Sequence, residues 1–225
     1  WKIAGTDSGI NGHEIILFAA SPLGSSVFEN DADNNKPYDS KWNCTYRTTV
    51  SDVFPNHYGA SWLRKVLNTY MSDNRYFSES EKTKMNQTTI YTDDKRNGST
   101  TYSVTDTLYA PYGDNTTSNN KYVTVGTNTS ESLNGGVKIN ISNLGTDVFW
   151  LRSPYNYDSA DALVAARGTG VDVDSVNYIH SVVPAFDLNL SDVSFASAAE
   201  AASSSYTGYK ENSGMTENTY TLRYR

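Results

Sequence analysis

Two apolar stretches, Trp150-Leu151-Arg152-Ser153-Pro154 and Val182-Val183-Pro184-Ala185-Phe186, bracket a segment of different character, YNYDSADALVAARGTGVDVDSVNYIHS, residues 155–181. A rigid frame encloses a run rich in Tyr, Asn, Asp, Ser, Thr and His. Tyr supplies contact area at low entropic cost, and Ser and Asn supply adaptable hydrogen bonds, so this is the composition of a binding surface rather than of a core. Inside the segment, Ala162–Arg167 and Val171–Val176 flank Gly168-Thr169-Gly170, the pattern of a β-hairpin. Side chains alternate along a strand, so Val171 and Val173 are expected to face inward and Asp172 and Asp174 outward. Asp147–Arg152 reads as the strand that enters the segment. Val182–Leu190 reads as the strand that leaves it, with Phe186, Leu188 and Leu190 on one face and Asp187 and Asn189 on the other.

Working outward, Trp1–Ala4 and His13–Ala20 read as strands joined by the turn residues of Gly5–Gly12. Ile15 to Phe18 is unbroken apolar sequence, which fits a strand buried on both faces. Ser61–Met71 is an amphipathic helix: Leu63, Val66, Leu67 and Tyr70 fall on one face, and Ser61 can cap its start. Ser78-Glu79-Ser80-Glu81 is a capping box that opens a short helix to about Met85. Ser21–Pro55 reads as irregular. Gly98, Gly113 and Asp114–Lys121 mark long loops, and Tyr122–Val125 is a candidate strand. Asp31-Ala32-Asp33-Asn34-Asn35 opens like a calcium loop. Lys36 stands where such a loop needs Gly and Trp42 where it needs Glu, so an acidic turn is the plainer reading. Ser194–Ser205 is an Ala/Ser-rich linker or short helix, and Thr219–Arg225 alternates like the first strand of a following domain. The expectation is an α+β fold in residues 1–195, two helices on a small antiparallel sheet that pairs the N-terminal strand with 182–190. Residues 196–225 are read as a linker and the start of a following segment.

Composition narrows function. The net charge of −7 and pI near 4.9 argue against a nucleic-acid groove, which requires a basic face. The single Cys44 excludes an internal disulfide framework and a Cys-rich zinc site. Three scattered histidines, with no nucleophile elbow, zincin motif or phosphate loop, point to no catalytic centre, no metal site and no cofactor. Asp172 and Asp174 share a strand face as a glycosidase pair might. No apolar wall accompanies them to raise one pKa, so a solvated face is the simpler reading of each. No apolar run reaches the ~18 residues a membrane span needs. The chain begins at Trp1, which reads as a piece of a longer protein. Sparse Lys and abundant Asn, Thr, Ser and Tyr suit an exported protein.

Several segments occur in an order that resembles a known family: Trp1-Lys2-Ile3-Ala4, Tyr58-Gly59-Ala60-Ser61-Trp62-Leu63-Arg64, Phe77-Ser78 with Glu81, Phe149-Trp150-Leu151-Arg152-Ser153-Pro154 and Val183-Pro184-Ala185-Phe186-Asp187-Leu188. The order is similar to uncharacterised domains in surface proteins of gut Firmicutes. Its C-terminal part resembles the variable proteins of diversity-generating retroelements. The resemblance implies a C-type-lectin-like fold with a small twisted sheet, two helices and long loops that display a ligand face. It also implies diversification of Asn codons, which cannot produce Lys, Glu, Gln, Met or Trp; all five types are absent from Ser153 to Phe186. The calcium-dependent sugar motifs of lectins are missing, and one cysteine cannot supply the pair used by formylglycine-generating enzymes.

The expected function is a non-enzymatic recognition domain on a bacterial cell surface, with a protein or glycan as ligand. The expected ligand face comprises Tyr155, Asn156, Tyr157, Asp158, Ser159, Asp161, Arg167, Thr169, Asp172, Asp174, Ser175, Asn177, Tyr178, Ile179, His180 and Ser181. Tyr155, Tyr157 and Tyr178 are the anchors, because aromatics dominate binding hot spots. Trp150 belongs to the core and Arg152 pairs inside. A spacer module of an adhesin and a carbohydrate-binding or -cleaving domain are the alternatives.

Overall fold

The computed structural model describes residues 1–6, 14–29, 37–42, 53–94, 100–133, 135–144, 147–166, 170–189, 193–196 and 221–224. The strands are β1 (Lys2–Thr6), β2 (Glu14–Phe18), β3 (Gly24–Ser26), β4 (Thr88–Asp94), β5 (Thr100–Asp106), β6 (Tyr112–Gly113), β7 (Tyr122–Val125), β8 (Val137–Asn140), β9 (Phe149–Pro154), β10 (Asp161–Ala166), β11 (Gly170–Ser175), β12 (His180–Val182), β13 (Ala185–Asn189), β14 (Val193–Ala196) and β15 (Thr221–Tyr224). The helices are α1 (Trp62–Ser72) and α2 (Glu79–Lys82).

Five sheets form among the described residues. The two that matter most here have strand orders β1-β2-β13 and β11-β10-β9-β12-β3. The expected pairing of the chain's two ends is present: Phe18 faces Ala185 and Ile15 faces Leu188 across the antiparallel β2–β13 ladder. Ile15, Ile16, Leu17 and Phe18 are all buried, as a strand covered on both faces requires. The β10–β11 hairpin is also present, from Asp161 opposite Ser175 to Ala166 opposite Gly170. Gly170 takes a φ of +110° there, and a Cβ at that position would run into the Asn120 carbonyl, so glycine is required twice over.

The α+β, C-type-lectin-like expectation is corrected. Strands account for 42% of the structure against 14% helix, spread over several sheets. The difference lies between residues 88 and 140, read from sequence as mostly loop. There β4 pairs with β5 along seven residues, and β6, β7 and β8 make a second small sheet. Thr88, Ile90 and Thr92 are the buried positions of β4. Two of those three are threonines, so the alternation is real but only weakly hydrophobic, and an apolar-pattern search passes over it.

Helix α1 starts as expected: the Ser61 side chain accepts the Arg64 amide at 3.1 Å. Its buried face, however, is Leu63, Arg64 and Leu67. Arg64 donates through Nε and Nη2 to buried Asp106, at 2.9 and 2.8 Å to Oδ1, and that pair rotates the helix so that Val66 and Tyr70 are left half-buried. Helix α2 has the full capping box but only four residues. On β13, Asp187 is not on a solvent face as the alternation suggested. It is fully buried and accepts a hydrogen bond from the Tyr109 hydroxyl at 2.7 Å. Strand β14 pairs with β15. The Asp31–Asn35 turn, Cys44 and Leu190 lie outside the described residues.

Candidate functional site

Strand connectivity builds one end of the five-stranded sheet into a platform. β9 ends at Pro154, β10 starts at Asp161, β11 ends at Ser175 and β12 starts at His180, and antiparallel pairing of β9, β10 and β11 puts the first three ends together. Two turns, 155–160 and 176–179, therefore sit side by side. The Val176 amide donates to the Ala160 carbonyl at 2.9 Å and joins them. Beneath them Trp150, Leu151 and Arg152 of β9 are all buried. Trp150 packs edge-on to Phe28 and donates from its indole nitrogen to the Ser26 carbonyl at 2.8 Å. Arg152 sits beside the Tyr109 and Tyr112 rings and donates to the carbonyls of Tyr91 and Ala110. Its partners are thus carbonyls and aromatic faces rather than a carboxylate. Burial pulls its pKa below the ordinary guanidinium value, against the field of the surrounding tyrosines.

The turns expose large side chains. Tyr157 is 87% exposed, Ile179 69% and Tyr178 57%. Asn156, Asp158 and Asn177 are exposed as well, while Ser159, Asp161, Ser175 and Ser181 are half-buried. Tyr155 departs from the expected display role: it is half-buried against the core, and its ring supports Tyr157 edge-on at 5.4 Å. The first turn is held from below by a residue the sequence did not single out. The buried Asn56 amide nitrogen donates to the carbonyls of Tyr155, Asp158 and Asp161 at 3.3, 3.2 and 3.0 Å. The only sequence signal for it is an Asn after Pro55, which is no signal for a contact about a hundred residues away in the chain.

His180 binds the second turn to the frame. Its Nε2 lies 2.7 Å from Asp174 Oδ2, and its ring stands edge-on to Trp150. Asp172 and Asp174 do point away from the core, and each has a local duty. Asp172 Oδ1 accepts the Val173 amide and Asp174 Oδ1 accepts the Ser175 amide, both at 2.8 Å. Because β11 is an edge strand, these carboxylates cover amides that would otherwise face out unpaired. Asp161 has its pKa raised by burial first, then by the charges of Asp158 and Asp174. Arg167 and Thr169 lie outside the described residues. The positions that flank them, Ala166 and Gly170, close the opposite end of the β10–β11 hairpin.

The arrangement can offer a ligand two aromatic rings, an isoleucine and a fringe of carboxylates on a fixed base. Among the described residues no group of three or more His, Cys, Asp or Glu is placed to hold a metal ion. Among the same residues no helix is long and apolar enough to cross a membrane. Ile179 also borders an open groove of about 420 Å³ lined by β3 and one face of α1, which no feature of the sequence suggested.

Residues 41–190 match the family model described as Domain of unknown function (DUF6273), which spans both turns, β9 to β13 and α1. The chain belongs to that family. No curated protein and no solved structure matches the chain.

Proposed function

We propose that this chain is a non-enzymatic recognition domain of a bacterial cell-surface protein, whose ligand face is the pair of turns at 155–160 and 176–179. The observation that carries this reading is the separation of display from frame. Tyr157, Tyr178 and Ile179 project from one end of the sheet, while Trp150, Leu151 and Phe186 are buried. Exposed residues on a rigid base can change identity at little cost in folding energy, within about 0.5 kcal/mol each, which is the property a variable ligand face needs. Large aromatics in such positions act as binding anchors, and the surrounding aspartates set the polarity of the ligand they accept.

Sequencing sibling genes from many isolates tests the proposal. Substitutions should concentrate at Asn156, Tyr157, Asn177, Tyr178 and Ile179 and spare Trp150, Leu151 and Phe186. A reverse transcriptase gene beside a near-copy of the 150–187 segment would support active diversification. Equal variation in turns and frame, or turns as constant as the frame, would remove the basis for a diversified display face.

A further inference from the structure

Strand β3 is the last strand of its sheet. The Ser181 amide donates to the carbonyl of Val148, the residue just before β9, so the backbone groups of Ser181 point away from β3. His180 and Val182 therefore make the β12–β3 bonds, opposite Ser26 and Gly24. Alternation then turns the amide and carbonyl of Ser25 to the open edge. Neither has a hydrogen-bond partner among the described residues. Facing this edge is one stripe of α1: Trp62, Lys65, Val66, Thr69 and Tyr70 stand at i, i+3, i+4, i+7 and i+8. Strand edge and helix stripe enclose the groove of about 420 Å³, within the ~300–1,000 Å³ usual for ligand pockets. Tyr70 approaches β3 at one end, where a Cβ on Gly24 would collide with its hydroxyl. At the other the Leu63 amide donates to the Phe28 carbonyl at 3.0 Å.

We propose that this groove takes a short extended peptide segment of a partner protein, added as a strand to β3, with an Asp or Glu set against Lys65. An open strand edge beside a helix offers what an extended chain needs: main-chain groups along one side and side-chain contacts along the other. The edge is three residues long, roughly 10 Å, so the inserted segment is short. Lys65 supplies the charge of the groove wall in a chain of net charge −7, and its ammonium rests 3.8 Å from the Trp62 ring centre. An acidic side chain would draw it off that ring, leaving Trp62 and Val66 to cover the peptide's apolar side chains. The proposal rests on the recognition reading above, and Ile179 connects the two sites.

Panning a phage-displayed library of linear dodecapeptides against the folded chain tests it. Peptides with an acidic residue should enrich. Their affinity should fall at least tenfold in Val66→Arg, which fills the groove, and in Lys65→Glu, which reverses its charge. Tyr157→Ala should leave it unchanged, and the Ser25 amide should exchange at least tenfold more slowly when peptide is bound. Lys65 is exposed, so Lys65→Glu carries the test if Val66→Arg fails to fold. Enriched peptides that ignore both groove variants but are lost with Tyr157→Ala and Tyr178→Ala would overturn the groove and leave the display face standing. Absence of enrichment would overturn the groove alone, since the display face is judged by sibling sequences. Glycan-array binding that Val66→Arg abolishes, with no protection of the Ser25 amide, would replace the peptide by a sugar.

Discussion

His180 stands edge-on to Trp150, ring centres 4.8 Å apart and planes at 70°. One ring is half-buried on the candidate face and the other is 1% exposed in the core. This contact joins the exposed turns to the buried frame, and it divides the effects of substitution sharply.

Trp150→Ala removes the buried indole and its bond to Ser26, and should cost about 3–5 kcal/mol. Tyr157→Ala and Tyr178→Ala together should stay within about 0.5 kcal/mol per site. Tyr155→Ala should fall between the two, because Tyr155 packs on the core. Urea unfolding of these variants checks the order. A Tyr157/Tyr178 double variant as unstable as Trp150→Ala would show that those rings hold the fold.

Asn56→Ala leaves three carbonyls of the first turn without their shared donor. The expected loss is about 1–3 kcal/mol, with faster amide exchange across 155–161. Unchanged exchange there would mean that Asn56 does not hold the turn.

How much of this was legible in the sequence differs by element. Strands β2, β10, β11 and β13 were readable because their apolar residues are contiguous or strictly alternating. Strands β4 and β5 were not, because Thr88 and Thr92 hide a buried face behind polar names. The groove escaped notice for a related reason. Val66 and Tyr70 belong to the apolar stripe of α1, and only the long-range pair of Arg64 with Asp106 turns them toward solvent. The exposure of Tyr157, Tyr178 and Ile179 was readable from composition, whereas the clamp at Asn56 depends on tertiary contact alone.

That ion pair predicts its own test. Asp106→Asn would remove the buried counter-charge of Arg64 and leave only the more exposed Asp39, 3.2 Å from Nη1; breaking a buried pair costs up to about 3–5 kcal/mol. Replacing both residues with apolar ones of similar volume should cost much less. A single variant no worse than the double would show that the pair contributes little.

Asp161 gives a pH dependence of defined sign. Its pKa is raised in the folded state by burial and then by Asp158 and Asp174, so the folded chain binds this proton more tightly than the unfolded chain. Its ionised form therefore opposes folding at neutral pH, and that opposition fades as pH falls through the upper carboxylate range. Asp161→Asn should raise the melting temperature at pH 7, with a gain that shrinks toward pH ~4. A gain that grows on acidification would contradict the assignment.

Asp172→Thr with Asp174→Thr should uncover the outward amides of β11. Light scattering after size exclusion should then show more oligomer than in the wild type, rising with concentration. An unchanged mass distribution would mean that the carboxylates do not guard the edge.

The ladder between β2 and β13 has a consequence for how the protein is made. Leu17 is synthesised well before its partner Phe186, which lies near the end of the family-matched region. At about 5–20 residues per second, β2 waits on the order of ten seconds or more for its partner. Hairpins such as β4–β5 and β10–β11 can close locally in that interval, but the apolar run Ile15–Phe18 stays uncovered on one edge. A nascent chain in that state invites chaperone capture. A stop codon anywhere before Ala185 would yield a product whose N-terminal strand never finds its mate, so quality control should clear such truncations rather than let partly working fragments accumulate.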